Sequence, residues 1–396
     1  MSQALKEDGS LKMVLHGYQN SFVSKMGRDF SGINGFAVGL GKTFSALAAV
    51  QYSQAIGVKR KALFVVPNSV LSNWKKEATT AYESIDDCLF VGLRADKKGK
   101  MKVDSKAIDT DLTSVMENRH SKIFITFETF MKIKLREETI DKYEAYLGIT
   151  DSNYAASQDV KEREAANSKK DSIRTVLMDK SGAAPFMEDL GIDSIVIDEA
   201  HGFKASAAVF NFKSAKFLSL SSMAKRGIDA QCKAWYVRGM SPRGDGMLLL
   251  TATPITNSPL EIFSMLSLAK GHDKVNKMML GINGADDFMN MFTNIENEDD
   301  VTIDGIDRTT NVFTGLNNVG VLRGAIAQSS TIKSAADVGE QVELPDSEDV
   351  PSTVTLAEST VERLQLYKEA FRWAIDDLSD KKGSDNRGDR AAYDAV

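Results

Sequence analysis

The sequence predicts an α/β domain built on a mostly parallel sheet, and two patterns support this prediction. First, five short runs are apolar without polar alternation, as in strands whose faces are both covered. They are KALFVV, DCLFVG, KIFITF, DSIVID and GMLLLTA. Second, helical patterns such as KTFSALAAVQYSQA and SVLSNWKKEATTAY alternate with the first of these runs. Strands and helices that alternate in this way are typical of a doubly wound sheet flanked by helices.

The composition indicates a globular chain and excludes several classes of protein. The 396 residues are 42% hydrophobic, which is enough for a large core. No apolar stretch reaches the length of about eighteen residues that spans a membrane, and MSQALKEDGSLK lacks the features of a secretory signal. We therefore expect a cytoplasmic protein with no membrane partner. Two cysteines are too few for a disulfide framework and lack a C-x-x-C partner.

Shifts in composition along the chain predict three parts. Residues 1–270 would form the sheet domain, interrupted by a charged helical insertion over residues 132–182. Residues 271–345 mix weak helix signals with turn residues, which predicts an irregular subdomain or insertion. Residues 346–396 contain the helix pattern STVERLQLYKEAFRWAIDDL and a polar tail that is typical of a linker.

The stretch GFAVGLGKTFSALAAV has the composition of a phosphate-binding loop at the start of a helix. Glycines let backbone N–H groups converge on phosphate oxygens, and the helix N-terminus adds partial positive charge. Lys42 would reach the β and γ phosphates, and the Thr43 hydroxyl would bind Mg²⁺. The match is partial, because the full pattern has a glycine where Phe36 stands, so glycines that merely open a helix are the alternative. The candidate nucleotide-binding residues of the loop are Gly39, Leu40, Gly41, Lys42 and Thr43.

A second motif, DSIVIDEAHGFK, ends an apolar run in two acidic residues. Residues at strand ends face a phosphate site at the carboxyl edge of a parallel sheet. Asp198 is placed to hold the metal that bridges the phosphates, and Glu199 to orient and polarise the attacking water. The alternative is a simple helix cap at a strand-to-helix turn. His201 has no second histidine at ligand spacing, so a structural, hydrogen-bonded role is its alternative.

The third motif is MLLLTATPITNSPLEIF, in which an apolar run ends in threonines and a proline. Thr251 and Thr253 would link the carboxylates to a neighbouring domain, or would only satisfy the backbone groups of a turn. Two short basic runs, VKRKALF and ADKKGKMK, would either touch a phosphate backbone or form solvated faces. We expect Trp74 and Trp235 to be core or interface anchors.

In this order, the motifs resemble the first motor lobe of a superfamily-two helicase-like ATPase, most closely the SWI/SNF-type branch of DNA translocases. The resemblance implies a RecA-like P-loop domain, ATP and Mg²⁺ as cofactors, catalytic roles for Lys42, Asp198 and Glu199, and double-stranded DNA as partner. LHGYQNSFV resembles the adenine-reading element and places Gln19 at the adenine edge. VVPNSVLSNWKKE resembles the element that leads toward the nucleic-acid groove.

The resemblance also assigns roles to residues beyond the phosphate loop. Pro67 and Ser69 would lie near nucleic acid, His201 completes the D-E-A-H box, and Lys204 stands where the family often carries a lysine. The threonines of T-A-T-P match motif III, which implies that His201, Thr251 and Thr253 couple the nucleotide to the rest of the motor.

Some positions depart from the family pattern. Phe36 and Ala37 replace an acidic pair, and AIAQSSTIKSAADVGEQVELP keeps only Lys333 of an arginine-rich signature, which favours a divergent member of viral or mobile-element type. No second lobe is recognisable, and that lobe supplies arginines that stabilise the transferred phosphoryl group, so we expect the chain alone to hydrolyse ATP poorly. Two alternatives stay open: a DEAH-type RNA helicase, and a nucleotide-dependent module that binds a protein partner through residues 132–182.

Overall fold

A seven-stranded parallel sheet forms the centre of the protein. The computed structural model describes residues 14–147, 171, 173–180, 182, 184–204, 225–253, 259–282, 284–301, 307–339 and 363. Its strands are β1 (Ser31–Phe36), β2 (Ala62–Val66), β3 (Cys88–Phe90), β4 (Leu93–Ala95), β5 (Met101–Val103), β6 (Lys122–Thr126), β7 (Ser194–Ile197), β8 (Met247–Leu250), β9 (Thr293–Val301), β10 (Asp307–Leu316) and β11 (Ser330–Lys333).

The order across the main sheet is β11-β1-β8-β7-β2-β6-β3, and every neighbouring pair is parallel. Each of the five apolar runs contains one of these strands, so the predicted α/β fold is confirmed. Two smaller sheets have two strands each, β4 with β5 and β9 with β10. Among the described residues, no helix has both the length and the apolar character that a bilayer span requires.

Helices connect the strands and cover the sheet. They are α1 (Gly17–Asp29), α2 (Lys42–Ala55), α3 (Leu71–Ala81), α4 (Ser105–Val115), α5 (Phe127–Lys132), α6 (Glu137–Tyr146), α7 (Lys225–Gly239), α8 (Pro259–Lys270), α9 (Ala285–Phe292), α10 (Val319–Ser329) and α11 (Ala335–Val338). The described residues also form three short 3₁₀ turns, Asn68–Val70, Met187–Asp189 and Ala200–Phe203, and a π-helical segment, Lys274–Leu280.

The alternation of side chains along each strand creates two hydrophobic cores, one on each face of the sheet. In β2, Phe64 and Val66 pack into the core that contains α1, α2 and α3. Leu63 and Val65 point the other way, into the core formed with α4 to α8. Because both faces are covered, the strands can be apolar throughout, which is the pattern seen in the sequence.

Strand β1 has an unusual composition, SGINGF, although all six of its residues are buried. A Cβ atom on Gly32 would lie 2.7 Å from the carbonyl oxygen of Ser329, and one on Gly35 would lie 2.9 Å from Cγ1 of Ile332. Glycine is therefore required where β1 passes close to α10 and β11. Ser330–Lys333 lies within residues 271–345, which are predicted to form an irregular subdomain or insertion, but in the structure this segment pairs with β1 as the edge strand of the main sheet.

The predicted insertion over residues 132–182 is described only in part, and that part contains both helical and non-helical residues. It contains α6 and a helical stretch at residues 173–178. Arg174 joins the two, since its guanidinium lies 2.6 Å from Glu137, 2.7 Å from Asp141 and 3.0 Å from Glu144. Residues 148–170, and with them any surface for a protein partner there, lie outside the described residues.

The chain divides into two compact units that do not follow the predicted boundaries of the three parts. One unit comprises residues 1–297 and 311–344 and contains the main sheet. The other comprises residues 298–310 and 345–396, of which only the strand segments 298–301 and 307–310 and residue 363 are described. The predicted helix and linker over residues 346–396 therefore lie almost entirely outside the described residues.

The basic run VKRKALF is largely internal, which neither interpretation of the sequence anticipates. Lys59 is buried, and its Nζ lies 2.6 Å from Oδ1 of the buried Asp245. Lys61 is also buried and donates to the backbone oxygen of Val115. Only Arg60 is exposed, with 87% of its side chain accessible. Two of the three cations therefore stabilise the interior and are not available to nucleic acid.

We expect Asp245→Ala to lower the free energy of unfolding by about 3–5 kcal/mol, because it leaves the Lys59 ammonium buried without its partner. Chemical denaturation measures this change, and Arg60→Ala is the matched control, since its exposed ion pair with Asp193 contributes about 0–1 kcal/mol. A double variant, Lys59→Met with Asp245→Leu, should lose less stability than Asp245→Ala alone. Equal losses for Asp245→Ala and Arg60→Ala would contradict the prediction.

Candidate functional site at the carboxyl edge of the sheet

The predicted site residues follow strands that are neighbours in the sheet. The phosphate loop follows β1, the two acidic residues follow β7, the threonines follow β8, and Pro67 follows β2. Because β1, β8, β7 and β2 are adjacent and parallel, these four segments meet at one edge. The structure thus brings together residues that are far apart in the sequence, in the arrangement predicted from the motifs.

The phosphate loop has a backbone suited to binding an anion. Gly39 and Gly41 have φ values of 83° and 75°, a region in which side chains are strained, and helix α2 begins at Lys42. The Lys42 Nζ donates to the carbonyl oxygens of Phe36 at 3.0 Å and Ala37 at 3.3 Å. Burial lowers the pKa of Lys42, and the charges of Glu199 and Asp198 oppose this shift. These features fit a bound triphosphate.

Gln19 contacts the phosphate loop directly from α1. Its Nε2 donates to the Leu40 carbonyl oxygen at 3.1 Å, and its Oε1 accepts from the His16 backbone N–H at 2.9 Å. The Tyr18 hydroxyl donates to the same Leu40 oxygen at 3.1 Å. A Cβ atom on Gly41 would lie 2.3 Å from Gln19 Nε2, so the absence of a side chain at Gly41 allows this contact. Gln19 is therefore adjacent to the loop, as an adenine-reading role requires.

Phe36, one of the two residues that replace an acidic pair, is a core residue. It is fully buried, and its ring packs edge to face on Tyr18 and Phe22, with centroids 5.2 and 5.5 Å apart. The next residue, Ala37, donates its N–H to the carbonyl oxygen of Lys333, which extends the pairing of β1 with β11. The departure from the family pattern thus adds apolar packing behind the loop and leaves the loop's glycines in place.

Asp198 is buried, with 8% of its surface exposed, and both of its carboxylate oxygens have donors. Oδ2 accepts from the Trp74 indole Nε1 at 2.9 Å, and Oδ1 accepts from the Glu199 N–H at 3.0 Å. Burial raises the pKa of Asp198, the Trp74 hydrogen bond lowers it, and the charge of Glu199 raises it further. An acid held in this way would be stabilised by a cation, which fits the assignment of Asp198 to Mg²⁺.

Glu199 adopts a left-handed backbone conformation, with φ of 44° and ψ of 48°. This conformation costs a residue other than glycine about 1–2 kcal/mol. Its side chain is 43% exposed, so the carboxylate reaches solvent at the sheet edge beside the loop. Strained residues of this kind concentrate at functional sites. The alternative of a simple helix cap is not supported, because the Glu199 side chain makes no capping hydrogen bond.

His201 links the acidic motif to the threonine motif. Its Nδ1 lies 3.2 Å from Glu199 Oε2 and 3.4 Å from Thr251 Oγ1. Thr251 Oγ1 also accepts a hydrogen bond from the Thr253 N–H at 3.1 Å. The same hydroxyl therefore satisfies a backbone donor and contacts His201. Pro254 and Asn257, further along this motif, lie outside the described residues.

A second connection between these two motifs is ionic. Lys204 Nζ lies 2.9 Å from Oε1 of Glu261, in the first turn of α8, and both side chains are largely buried. Two contacts, His201 with Thr251 and Lys204 with Glu261, therefore join the segment after β7 to the segment after β8.

The residues predicted to face nucleic acid lie at the same edge. Pro67 directly follows β2, and Ser69 is exposed within the short turn that leads into α3. Their contact with nucleic acid stays a prediction. Sequence reasoning missed the polar role of Trp74, which is buried in the core as expected but also donates to Asp198. A signal was present, since a buried indole N–H usually requires an acceptor.

Comparison with known proteins agrees with this geometry. Residues 18–224, more than half of the chain, match the SNF2-related domain. The chain belongs to the SNF2-related family. This finding confirms the resemblance inferred from the motifs, and the match includes the phosphate loop and the acidic motif.

Similarity to two individual proteins was also found. The chain is 30% identical over 395 residues to the "Defense against restriction protein B" of Escherichia phage P1, an alignment that covers 89% of this chain and 17% of the phage protein. The chain thus spans about a sixth of the length of this relative. A solved structure, the "Sulfolobus solfataricus SWI2/SNF2 ATPase core in complex with dsDNA", is 14% identical with a TM-score of 0.37, covering 82% of this chain and 46% of that one.

Proposed function

We propose that this chain is the ATP-binding lobe of a motor that hydrolyses ATP and moves along double-stranded DNA. The observation that carries the proposal is that the phosphate loop after β1 and the acidic residues after β7 lie at the same edge of the parallel sheet, where both strands neighbour β8. Burial lowers the pKa of Lys42, and the charges of Glu199 and Asp198 raise it. A phosphate-binding loop beside a buried aspartate and an exposed glutamate is the set of groups that phosphoryl transfer to water requires. Membership in the SNF2-related family supports the same conclusion.

Each residue has a defined task in this proposal. Lys42 and the N–H groups of the loop hold the phosphates, and the Gln19 amide beside Leu40 reads the adenine edge. Thr43 and Asp198 would hold Mg²⁺, which neutralises charge on the phosphates when it is bound. Glu199 orients the attacking water and accepts its proton.

His201 connects Glu199, the proposed base for the attacking water, to the segment that follows the neighbouring strand β8. Because His201 contacts both Glu199 and Thr251, a shift of the Glu199 carboxylate changes the contact with the segment after β8. We infer that this contact transmits the state of the nucleotide to the elements that follow β8. Translocation further requires a second lobe, whose arginines would complete the site, so turnover is expected to be slow in this chain by itself.

We expect duplex DNA to stimulate ATP turnover, and two duplexes of unrelated sequence to do so equally, because a motor that tracks phosphates does not read base edges. Affinity should fall steeply with rising salt. Phosphate release is measured in the 396-residue chain and in a longer form that includes a second lobe, with duplex DNA or RNA at constant ionic strength. Preferential stimulation by RNA would favour an RNA helicase, and ATP binding without stimulation by either would favour a binding module.

A further inference from the structure

The first turn of helix α7 places an arginine, Arg226, at the carboxyl edge of the sheet. Its side chain is partly buried, and its guanidinium carbon lies 5.1 Å from the ring centre of Phe127 and 5.8 Å from that of Phe203. The two rings pack edge to face, with centroids 4.9 Å apart. A Cβ atom on Gly202 would lie 3.7 Å from Arg226 Nη1, so the guanidinium also lies close to the turn Ala200–Phe203.

These contacts place Arg226 near the segment that follows β2. Phe127 directly follows β6, and Phe203 follows β7. The strands β6 and β7 are the two neighbours of β2, and adjacent strands are only about 4.8 Å apart. Arg226 therefore lies in the same part of the edge as Pro67 and Ser69, the two residues that are predicted to face nucleic acid.

Arg226 lacks an anionic partner in the part of the chain that the structure describes. It forms no ion pair or hydrogen bond there, although Glu128 is the residue next to Phe127. Other partly buried cations are paired, as Arg174 is with three carboxylates. A partly buried charge loses hydration, and contact with aromatic rings offsets only part of that loss. The five N–H donors of Arg226 are therefore available to an anionic ligand.

We propose that Arg226 binds a backbone phosphate of the DNA duplex through paired N–H donors, while the two aromatic rings hold the guanidinium in place. The inference rests on the proposed function, because it takes duplex DNA to lie along this edge of the sheet. Phosphate suits this group, since the planar fork of a guanidinium matches two phosphate oxygens and stacks on aromatic faces. A phosphate contact carries no sequence information, so it fits a motor that tracks the backbone.

A purely structural role is the alternative, in which Arg226 only covers the two rings. Glutamine at this position retains part of the aliphatic stem that covers the rings, but it carries no charge to neutralise a phosphate. Loss of packing alone would lower the melting temperature and leave the salt dependence of DNA binding unchanged. Loss of a phosphate contact changes the salt dependence itself, because fewer counterions are released from the DNA.

The test measures binding of a short fluorescent duplex by anisotropy over a range of salt concentrations, with the 396-residue chain. We expect Arg226→Gln to reduce the slope of log affinity against log salt by about one in magnitude, and to weaken binding roughly tenfold at about 0.1 M salt. A duplex of unrelated sequence should show the same loss. Arg60→Gln is the matched control, because Arg60 is an exposed arginine that precedes β2 at the opposite edge of the sheet. The affinity of Arg226→Gln for ATP, measured without DNA, should equal that of the wild type.

The outcomes separate this inference from the proposed function. If the wild type binds DNA, an unchanged slope in Arg226→Gln would overturn the role of Arg226 alone. A loss of ATP affinity with unchanged DNA binding would also overturn it, because the guanidinium would then act on the nucleotide phosphates. A wild-type chain that binds no duplex DNA would overturn the proposed function and this inference together.

A second variant keeps the inference testable if Arg226→Gln does not fold. Arg226→Lys retains the charge but not the planar fork, so it should keep the wild-type slope and bind DNA about threefold less tightly. An affinity equal to that of the wild type would contradict a contact through paired donors.

Discussion

Replacing Glu199 with glutamine is expected to lower the rate of ATP hydrolysis by about 10²- to 10⁴-fold, because the amide cannot accept a proton from the attacking water. ATP affinity should change little, since Lys42 and the loop N–H groups remain. Phosphate release under saturating ATP and duplex DNA gives the rate, and a parallel binding titration separates chemistry from affinity. Glu128→Gln is the matched control, because Glu128 is an exposed carboxylate that follows β6 at the same edge of the sheet.

The backbone of Glu199 allows a second variant that distinguishes catalysis from stability. Glycine adopts a φ of 44° without strain, so Glu199→Gly should fold at least as stably as the wild type. It should nevertheless be as inactive as Glu199→Gln. A Glu199→Gly protein that melts at a higher temperature and still hydrolyses ATP at the normal rate would show that Glu199 has no part in the chemistry.

The second large effect is expected from Lys42→Ala, which should weaken the binding of ATP and ADP by about 10- to 100-fold. The basis is the loss of charge-assisted hydrogen bonds to phosphate, which are worth about 1.5–3 kcal/mol each. Adenosine has no phosphate, so its affinity should not change, and titrations of the three ligands give the comparison. Folding should be affected little, because the Lys42 ammonium is only partly buried and its two acceptors are backbone carbonyl oxygens.

Two further variants test whether the effect of Lys42→Ala on nucleotide affinity comes from the loss of its charge near the phosphates. Lys76→Ala removes an exposed lysine from α3 and should leave all three affinities unchanged. Lys42→Arg keeps the charge but introduces a planar, wider group that the tight loop does not accommodate well, so it should restore binding only in part. Equal losses for adenosine and ATP in Lys42→Ala would point to a disturbed loop instead of a lost phosphate contact.

The main strands were predictable from the sequence because their runs are apolar on both faces, but β1 and β11 were not. In β1, Gly32 and Gly35 are needed for close approach of the backbone, and they remove the apolar signal that marks the other strands. Strand β11 contains only four residues, STIK, and its outer residue Ile332 is half exposed. Neither strand can be recognised before its partner is known, because their pairing depends on contacts between segments distant in the sequence.

The motif residues of the site were also predictable, whereas their supporting residues were not. The phosphate loop and the acidic pair have fixed local spacings, so pattern alone finds them. Trp74 belongs to the site only because the packing of α3 brings its indole N–H to Asp198, which is distant in the sequence. Similarly, the sequence predicts Lys59 to lie on the surface, because its partner Asp245 is distant in the sequence. Charge along the chain does not reveal which ions will be paired in the interior.

The position of β1 in the sheet has a consequence for how the protein is made. β1 is the first strand of the main sheet to be synthesised, yet its two neighbours are β8 and β11, near the other end of the described chain. At synthesis rates of about 5–20 residues per second, the ribosome adds β11 on the order of 15–60 s after β1. Both edges of β1 lack their partners until β8 is made, and the edge that pairs with β11 lacks its partner for the whole interval. The small and polar residues of β1 make a poor template for aggregation. The composition that makes β1 difficult to predict therefore also lowers the tendency of the nascent chain to aggregate.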